Sequence, residues 1–417
     1  MSLRTRFLLL TGLRWLPTGF IIPVTALLPL HRGLTIAEMG AAFALQGVVV
    51  LLLELPTGGF ADALGRKPVI MASSCMALLA YVVFVHAQSV LAFAIAASLT
   101  GVFRALDSGP LNAWFVDATH AQGGESADVV RGLSGSAGVI GAAIATGSLA
   151  AGGLIAWAPV DDTARLTSPY WIAIALTVVQ LIAVTVLMDE DRSARVAGVL
   201  ASITSTPRVV ASSFALVRRS RVLAALVAVE LFWGFGMVAF ESLMPVRMSE
   251  LLGDRDDAAA VMGPIVAAGW GLSAVGAFAV PLLLRRWSMR SVSFTLRIVQ
   301  GVTVVGMGLA AGPIGLVVAY FATYGVHIVA GAIYESQLHE QVGPEQRATV
   351  LSLASMAMHP AASVGSIVLG AIATGASTAT AMVVGGVMLA LAAPLFLVRP
   401  AAEDPDVRRP AYRGSAR

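Results

Sequence analysis

The stretch Gly58-Gly59-Phe60-Ala61-Asp62-Ala63-Leu64-Gly65-Arg66-Lys67-Pro68 interrupts an otherwise apolar part of the chain. It combines glycines, which let helices approach closely, with one acid and two adjacent bases. Asp62 and Arg66 stand four apart, the spacing at which opposite charges meet on a helix surface. Nearby helix ends offer partial charges to either. A generic basic loop would account for Arg66 and Lys67 but not for the acid and the glycines. On each side lies an apolar run of about twenty residues, enough to cross roughly 30 Å of hydrocarbon at about 1.5 Å per residue. The stretch therefore reads as a short polar turn between two membrane spans.

Working outward, the same pattern recurs. The chain has 417 residues, 57% apolar and only 12% charged, against about 25% charged in ordinary soluble domains. Such a composition cannot cover a water-facing surface of normal size, which excludes a soluble enzyme, a nucleic-acid binder and a disulfide-built secreted module. Twelve spans fit, at about 7–30, 37–58, 68–86, 90–115, 131–157, 169–188, 222–245, 259–284, 291–311, 313–335, 349–372 and 378–398. Amides in lipid need internal partners, so the spans are predicted to be helices. The opening Met1–Arg6 followed by apolar residues looks like a signal peptide, but no small-residue cleavage site follows, and it reads as an uncleaved first span. The single cysteine, Cys75, lies inside an apolar run and forms no intrachain disulfide.

Arginine and lysine sort by side. With both termini inside, the inner segments hold 20 of them and the outer loops four (Arg32, Arg165, Arg247, Arg255). That excess places both termini in the cytoplasm. The expected organisation is an all-α membrane protein of two six-helix bundles, 1–188 and 222–398, joined by a cytoplasmic central loop, 189–221, and followed by a cytoplasmic tail, 399–417. The central loop is read as carrying a surface-lying amphipathic helix. An offset of 218 residues lays Asp117 on Glu335 and Ser134 on Ser352, and spans four and five align with ten and eleven without a gap, which suggests a parallel repeat.

The 58–68 stretch closely resembles the signature loop of the major facilitator superfamily, G-x-x-x-D-x-x-G-R-[KR], and the resemblance extends over the chain through the twelve spans, the central loop and the half-repeat. It implies the fold of that family, in a multi-pass protein of the cell (inner) membrane that acts as a monomer. It further implies that the loop latches the bundles in the outward-facing state, with its acid and base in relay with an acid ending span four. The matching residues are Gly58, Asp62, Gly65, Arg66, Lys67 and Asp117. The corresponding loop after span eight, Leu284–Arg290, keeps the bases and lacks the acid and glycines.

Span four holds Arg104-Ala105-Leu106-Asp107-Ser108-Gly109-Pro110. Charges at mid-membrane each cost at least about 2.5–3.5 kcal/mol, and Arg104 and Asp107, at i and i+3, are placed to neutralise one another. The segment resembles the span-four motif of the family, an Arg followed by Gln and Gly and implicated in proton transfer, although Asp107 replaces the Gln and Gly109 falls one place late. Arg14 and Glu54 lie at similar depth and form a reasonable pair. Glu230 has no base within one turn on span seven; an isolated carboxyl in hydrocarbon can take up a proton and release it on meeting water, as proton coupling requires, or be neutralised by Arg297. Glu241 reads as interfacial, and His327 and His359 as packing residues. Trp233 and Phe235 flank Gly234 and Gly236 near mid-membrane and are expected at a central cavity. Span five is rich in glycine but has Gly147-Ser148 where antiporters of the family carry Gly-Pro.

No phosphate-binding loop, metal-ligand spacing or cofactor motif occurs, and Ser352 and His359 lie about 10 Å apart along span eleven, too far for a nucleophile and its base. The chain is expected to be a secondary active transporter rather than an enzyme, with small molecules, protons and the lipid bilayer as partners. Its leading expected activity is proton-coupled efflux of lipophilic or drug-like compounds, resembling the drug/proton antiporters. The alternative is proton-linked uptake of a polar or anionic metabolite. Arg14, Glu54, Arg104, Asp107 and Glu230 are the expected proton-coupling or substrate residues. An aromatic, apolar cavity containing one or two carboxylates would favour efflux, and a polar-lined midplane uptake.

Overall fold

The computed structural model describes residues 1–157, 162–190, 217–218, 220–277, 279–343 and 347–399, with the side chains of 55–63, 126, 162, 277, 280 and 347–349 excepted. Twelve helical spans long and apolar enough to cross a membrane run from Leu3–His31 to Thr378–Leu397. Their limits follow the apolar runs with three informative differences. The second helix continues from Ile36 to Leu64, so most of the 58–68 stretch is helical and the turn shrinks to Gly65 alone, whose φ of 96° suits a residue without a Cβ. Span four breaks into Val90–Asp107 and Pro110–Ala121 at Gly109, again with φ 96°. Span seven likewise divides at Ser242, into Arg221–Glu241 and Leu243–Leu252. Most of the 189–221 loop and of the 399–417 tail, and with them the expected amphipathic helix, lies outside the described residues.

The packing is duplicated. Span one packs on spans five and six, span two on four, and span three on four and six; every one of these pairings recurs six spans later in the chain. The two bundles meet along spans two and eleven and along five and eight, pairs that exchange under the same repeat. Arg32, just past the end of span one, donates to the Val85 and Ala87 carbonyls at the end of span three. Arg247, at the end of span seven, donates to the Ala310 carbonyl at the end of span nine. Each bundle thus closes its third helix with an arginine in the same place.

Small residues bring the helix axes together. Gly19 rests on the backbone of Ile144 and Gly147, and Gly152 on that of Ala260 and Gly263. A Cβ on Gly40 would lie 2.1 Å from the Ser366 carbonyl, so spans two and eleven touch backbone to backbone there. Among the described residues, hydrogen bonds between the bundles run from Glu54–Ser355 through Ser363–Ala44 to Ala37–Thr374, toward the face opposite the Gly65 turn. At that opposite face Arg165 and Asp256 also approach to 4.0 Å. The face that carries the Gly65 turn, here called the basic face, shows no such bridges among the described residues.

Candidate functional site

Between the bundles lies a cavity of about 330 Å³, lined by both. Its charged centre is Arg14 of span one, which donates from Nε to Asp107 Oδ2 at 2.6 Å and from Nη1 to Thr18 at 3.2 Å. The Arg14 guanidinium stands 4.3 Å from the Phe103 ring centre and 4.9 Å from that of Trp15. Its side chain is 8% exposed and that of Asp107 17%. Two expected pairings are thereby replaced. Arg14 takes Asp107 rather than Glu54, and Asp107 takes Arg14 rather than Arg104. Asp107 is the last residue of its helix, where the chain breaks toward span one, whereas Arg104, one turn earlier, lines the cavity.

Arg104 is exposed to that cavity at mid-depth and has no acid within ion-pair distance among the described residues. Glu54 and Glu241 lie within electrostatic reach of it from either bundle. Glu54 accepts the Ser355 hydroxyl at 2.9 Å, a bond between bundles. Glu241 accepts the Tyr324 hydroxyl at 2.8 Å and lines the cavity, so it is not the interfacial residue that its distance along span seven suggested. The helical span runs on past Ser242 to Leu252, so Glu241 lies short of its end. Gln46, Thr18, Thr100 and His359 add hydrogen-bonding groups, and Trp15, Phe43, Phe84 and Phe103 add aromatic faces.

A second cavity, of about 550 Å³, lies in the C-terminal bundle and shares Met358 of its wall with the first. Glu230 sits there beside Arg297, 7% and 4% exposed, with the Tyr334 hydroxyl adjacent to Glu230. Arg297 Nη1 donates to Gln300 Oε1 at 2.9 Å, and its guanidinium lies 4.9 Å from the Trp233 ring centre. Trp233 lines this cavity; Phe235 does not, because its backbone abuts Gly365 of span eleven and its ring packs into the core.

At the basic face, Arg66 Nη2 lies 3.5 Å from Asp117 Oδ2, an arrangement within the N-terminal bundle. Glu190, which carried no expectation, accepts the backbone amides of Arg66 at 2.5 Å and Lys67 at 3.1 Å and so caps the third helix. A Cβ on Gly65 would meet that carboxylate at 2.7 Å, a second reason for glycine there. Lys67 Nζ donates to the Thr185 and Met188 carbonyls at the end of span six. The side chain of Asp62, and residue 58 beyond its helical backbone, lie outside the described residues. Nothing in the sequence marked Glu190 as the cap of the third helix, and for Glu241, Ser355 and Gln300 nothing marked a place in a cavity.

The Major Facilitator Superfamily pattern matches residues 7–366. No curated protein matches the chain in sequence. Among solved structures, the nucleoside transporter NupG, in a point-mutant form, superposes with a TM-score of 0.79 at 13% identity, over 95% of this chain and 99% of that one. A second NupG structure gives 0.76 at 13% identity, over 95% and 98%. At that identity the likeness is one of fold. The family match spans most of the chain, and twelve helical spans, the duplicated packing and a cavity between the bundles agree with it: the chain is a membrane transporter, not an enzyme, and belongs to the major facilitator superfamily.

Proposed function

We propose that this transporter carries a small polar or anionic metabolite by alternating access, coupled to protons and in the direction of uptake. The observation that carries the reading is Arg104, a guanidinium open to the central cavity with no acid in ion-pair contact among the described residues. A guanidinium open to a cavity and without an ion-pair partner favours an anionic or strongly accepting ligand group. Gln46, Thr18 and Thr100 offer hydrogen bonds to a polar cargo beside the aromatic faces of Trp15, Phe43, Phe84 and Phe103, so the lining serves either reading and Arg104 carries the preference for uptake. Asp107 is spoken for by Arg14, which leaves Glu54, Glu241 and Glu230 as the proton carriers of this scheme. Residues 1–188 and 222–398 rock as two bodies in a monomer whose termini face the cytoplasm of the cell (inner) membrane. The Gly65–Lys67 turn, with Asp62, Arg66 and Asp117, latches the basic face when it closes.

The test is flux in proteoliposomes under an imposed pH gradient, with metabolite anions, nucleosides (the cargo named for NupG) and lipophilic cations as separate arms. Gradient-driven accumulation of a polar or anionic compound, lost in Arg104→Gln, is the expected result. Proton exchange with lipophilic cations alone would return the protein to efflux.

A further inference from the structure

The cavity of the C-terminal bundle has a chemistry of its own. Glu230 and Arg297 lie within electrostatic reach of one another in its lining, which also holds Glu335. Beside these charges it carries unmet hydrogen-bonding capacity. Gln300 is 0% exposed and Arg297 4%, yet among the described residues Gln300 Nε2 and Arg297 Nε have no partner, and His327 Nδ1 on the adjoining span has none either. Gln300 Oε1 is held by Arg297, which orients the amide so that its NH2 is the free end. A buried unmet N–H costs about 1–3 kcal/mol, and native structures keep few of them. Orphans on three residues lining one cavity mark a place where acceptors arrive from outside the chain. Trp233 and Tyr334 supply flat walls beside them, and about 550 Å³ holds a ring with a substituent.

We propose that this recess is a subsite for an uncharged, planar, carbonyl-bearing ring, whose oxygens accept from Gln300 and Arg297. The inference deepens the transport reading and rests on it, since the recess shares Met358 of its wall with the central cavity, and the ring then belongs to the cargo. It does not depend on Arg104 for its test. Two neutral six-membered rings, uracil with two carbonyls and benzene with no N or O acceptor, serve as probes of the purified full-length protein, with binding titrated by saturation-transfer NMR. Uracil is expected to bind about tenfold or more tightly than benzene, as one or two hydrogen bonds to otherwise unmet donors imply. Gln300→Leu should erase that preference while benzene binding, which reports the folded cavity, stays within about twofold. Equal affinity for the two rings in the wild type, absence of uracil binding, or an undiminished preference in Gln300→Leu would each overturn the subsite. A protein that passes these tests but accumulates no polar or anionic compound in proteoliposomes would retain the subsite and lose the uptake reading.

Discussion

Replacing Asp107 by Asn separates the two things this side chain does for Arg14. The amide oxygen can still accept from Nε, but the counter-charge is gone. Both partners are well shielded, with side-chain exposures of 8% and 17%, so solvent cannot substitute for the missing carboxylate. Removing one member of a buried pair costs about 3–5 kcal/mol, because the remaining charge stays desolvated. Arg14 retains the Phe103 and Trp15 ring faces and the Thr18 hydroxyl, and each ring contact contributes about 0.5–2 kcal/mol, which argues for the lower end, about 3 kcal/mol. Equilibrium unfolding in mixed micelles, followed by tryptophan fluorescence, should read that loss. The double variant Arg14→Met with Asp107→Leu removes both charges and should return to within about 1 kcal/mol of wild type. If Asp107→Asn costs less than about 1 kcal/mol, or if the double variant is the worst of the three, the pair is not the buried electrostatic unit described above.

Two further outcomes test the movement and its coupling. Gly40→Val places a branched side chain where even a Cβ meets the Ser366 carbonyl at 2.1 Å; overpacking of about 1–3 kcal/mol should shift the population several-fold or more toward a form open at the opposite face. Electron–electron distances between spin labels at 32–35 and 376–377 would show it, and an unchanged distance distribution would mean that this contact does not hold the face shut. Glu230→Gln should abolish gradient-driven flux while counterflow exchange and folding persist, because the amide keeps shape and polarity but cannot carry a proton; gradient-driven flux at the wild-type level would remove Glu230 from the coupling path.

The site was partly legible and partly not, for a consistent reason. Arg14, Arg104, Asp107 and Glu230 stood out because an ionisable group in an apolar run is costly and needs a purpose. Their partners did not, since local spacing brings Arg104 and Asp107 together while the fold delivers Arg14 to Asp107 from a helix 93 residues away. Glu241 was misplaced for a related reason: it stands near the outer end of a 222–245 run, but the helical span continues past Ser242 to Leu252, which leaves Glu241 well short of its end. Phe235 shares mid-membrane with Trp233, but two residues further round the helix its side chain points elsewhere, into the core, while its backbone rests on Gly365 of span eleven.

The amino-acid sequence by itself determined the helical spans, their number and the family, because those rest on the thickness of the bilayer, the need of every backbone amide for a partner, and a loop whose residue types few other structures require. Tertiary structure alone decided which charges meet, which N–H groups of Arg297 and Gln300 stay unmet, and that the third helix is capped by Glu190 from across the bundle. Those depend on how helices rotate and break against one another, through contacts such as Gly40 on Ser366 and turns such as Gly65 and Gly109, and no one-dimensional pattern records a rotation.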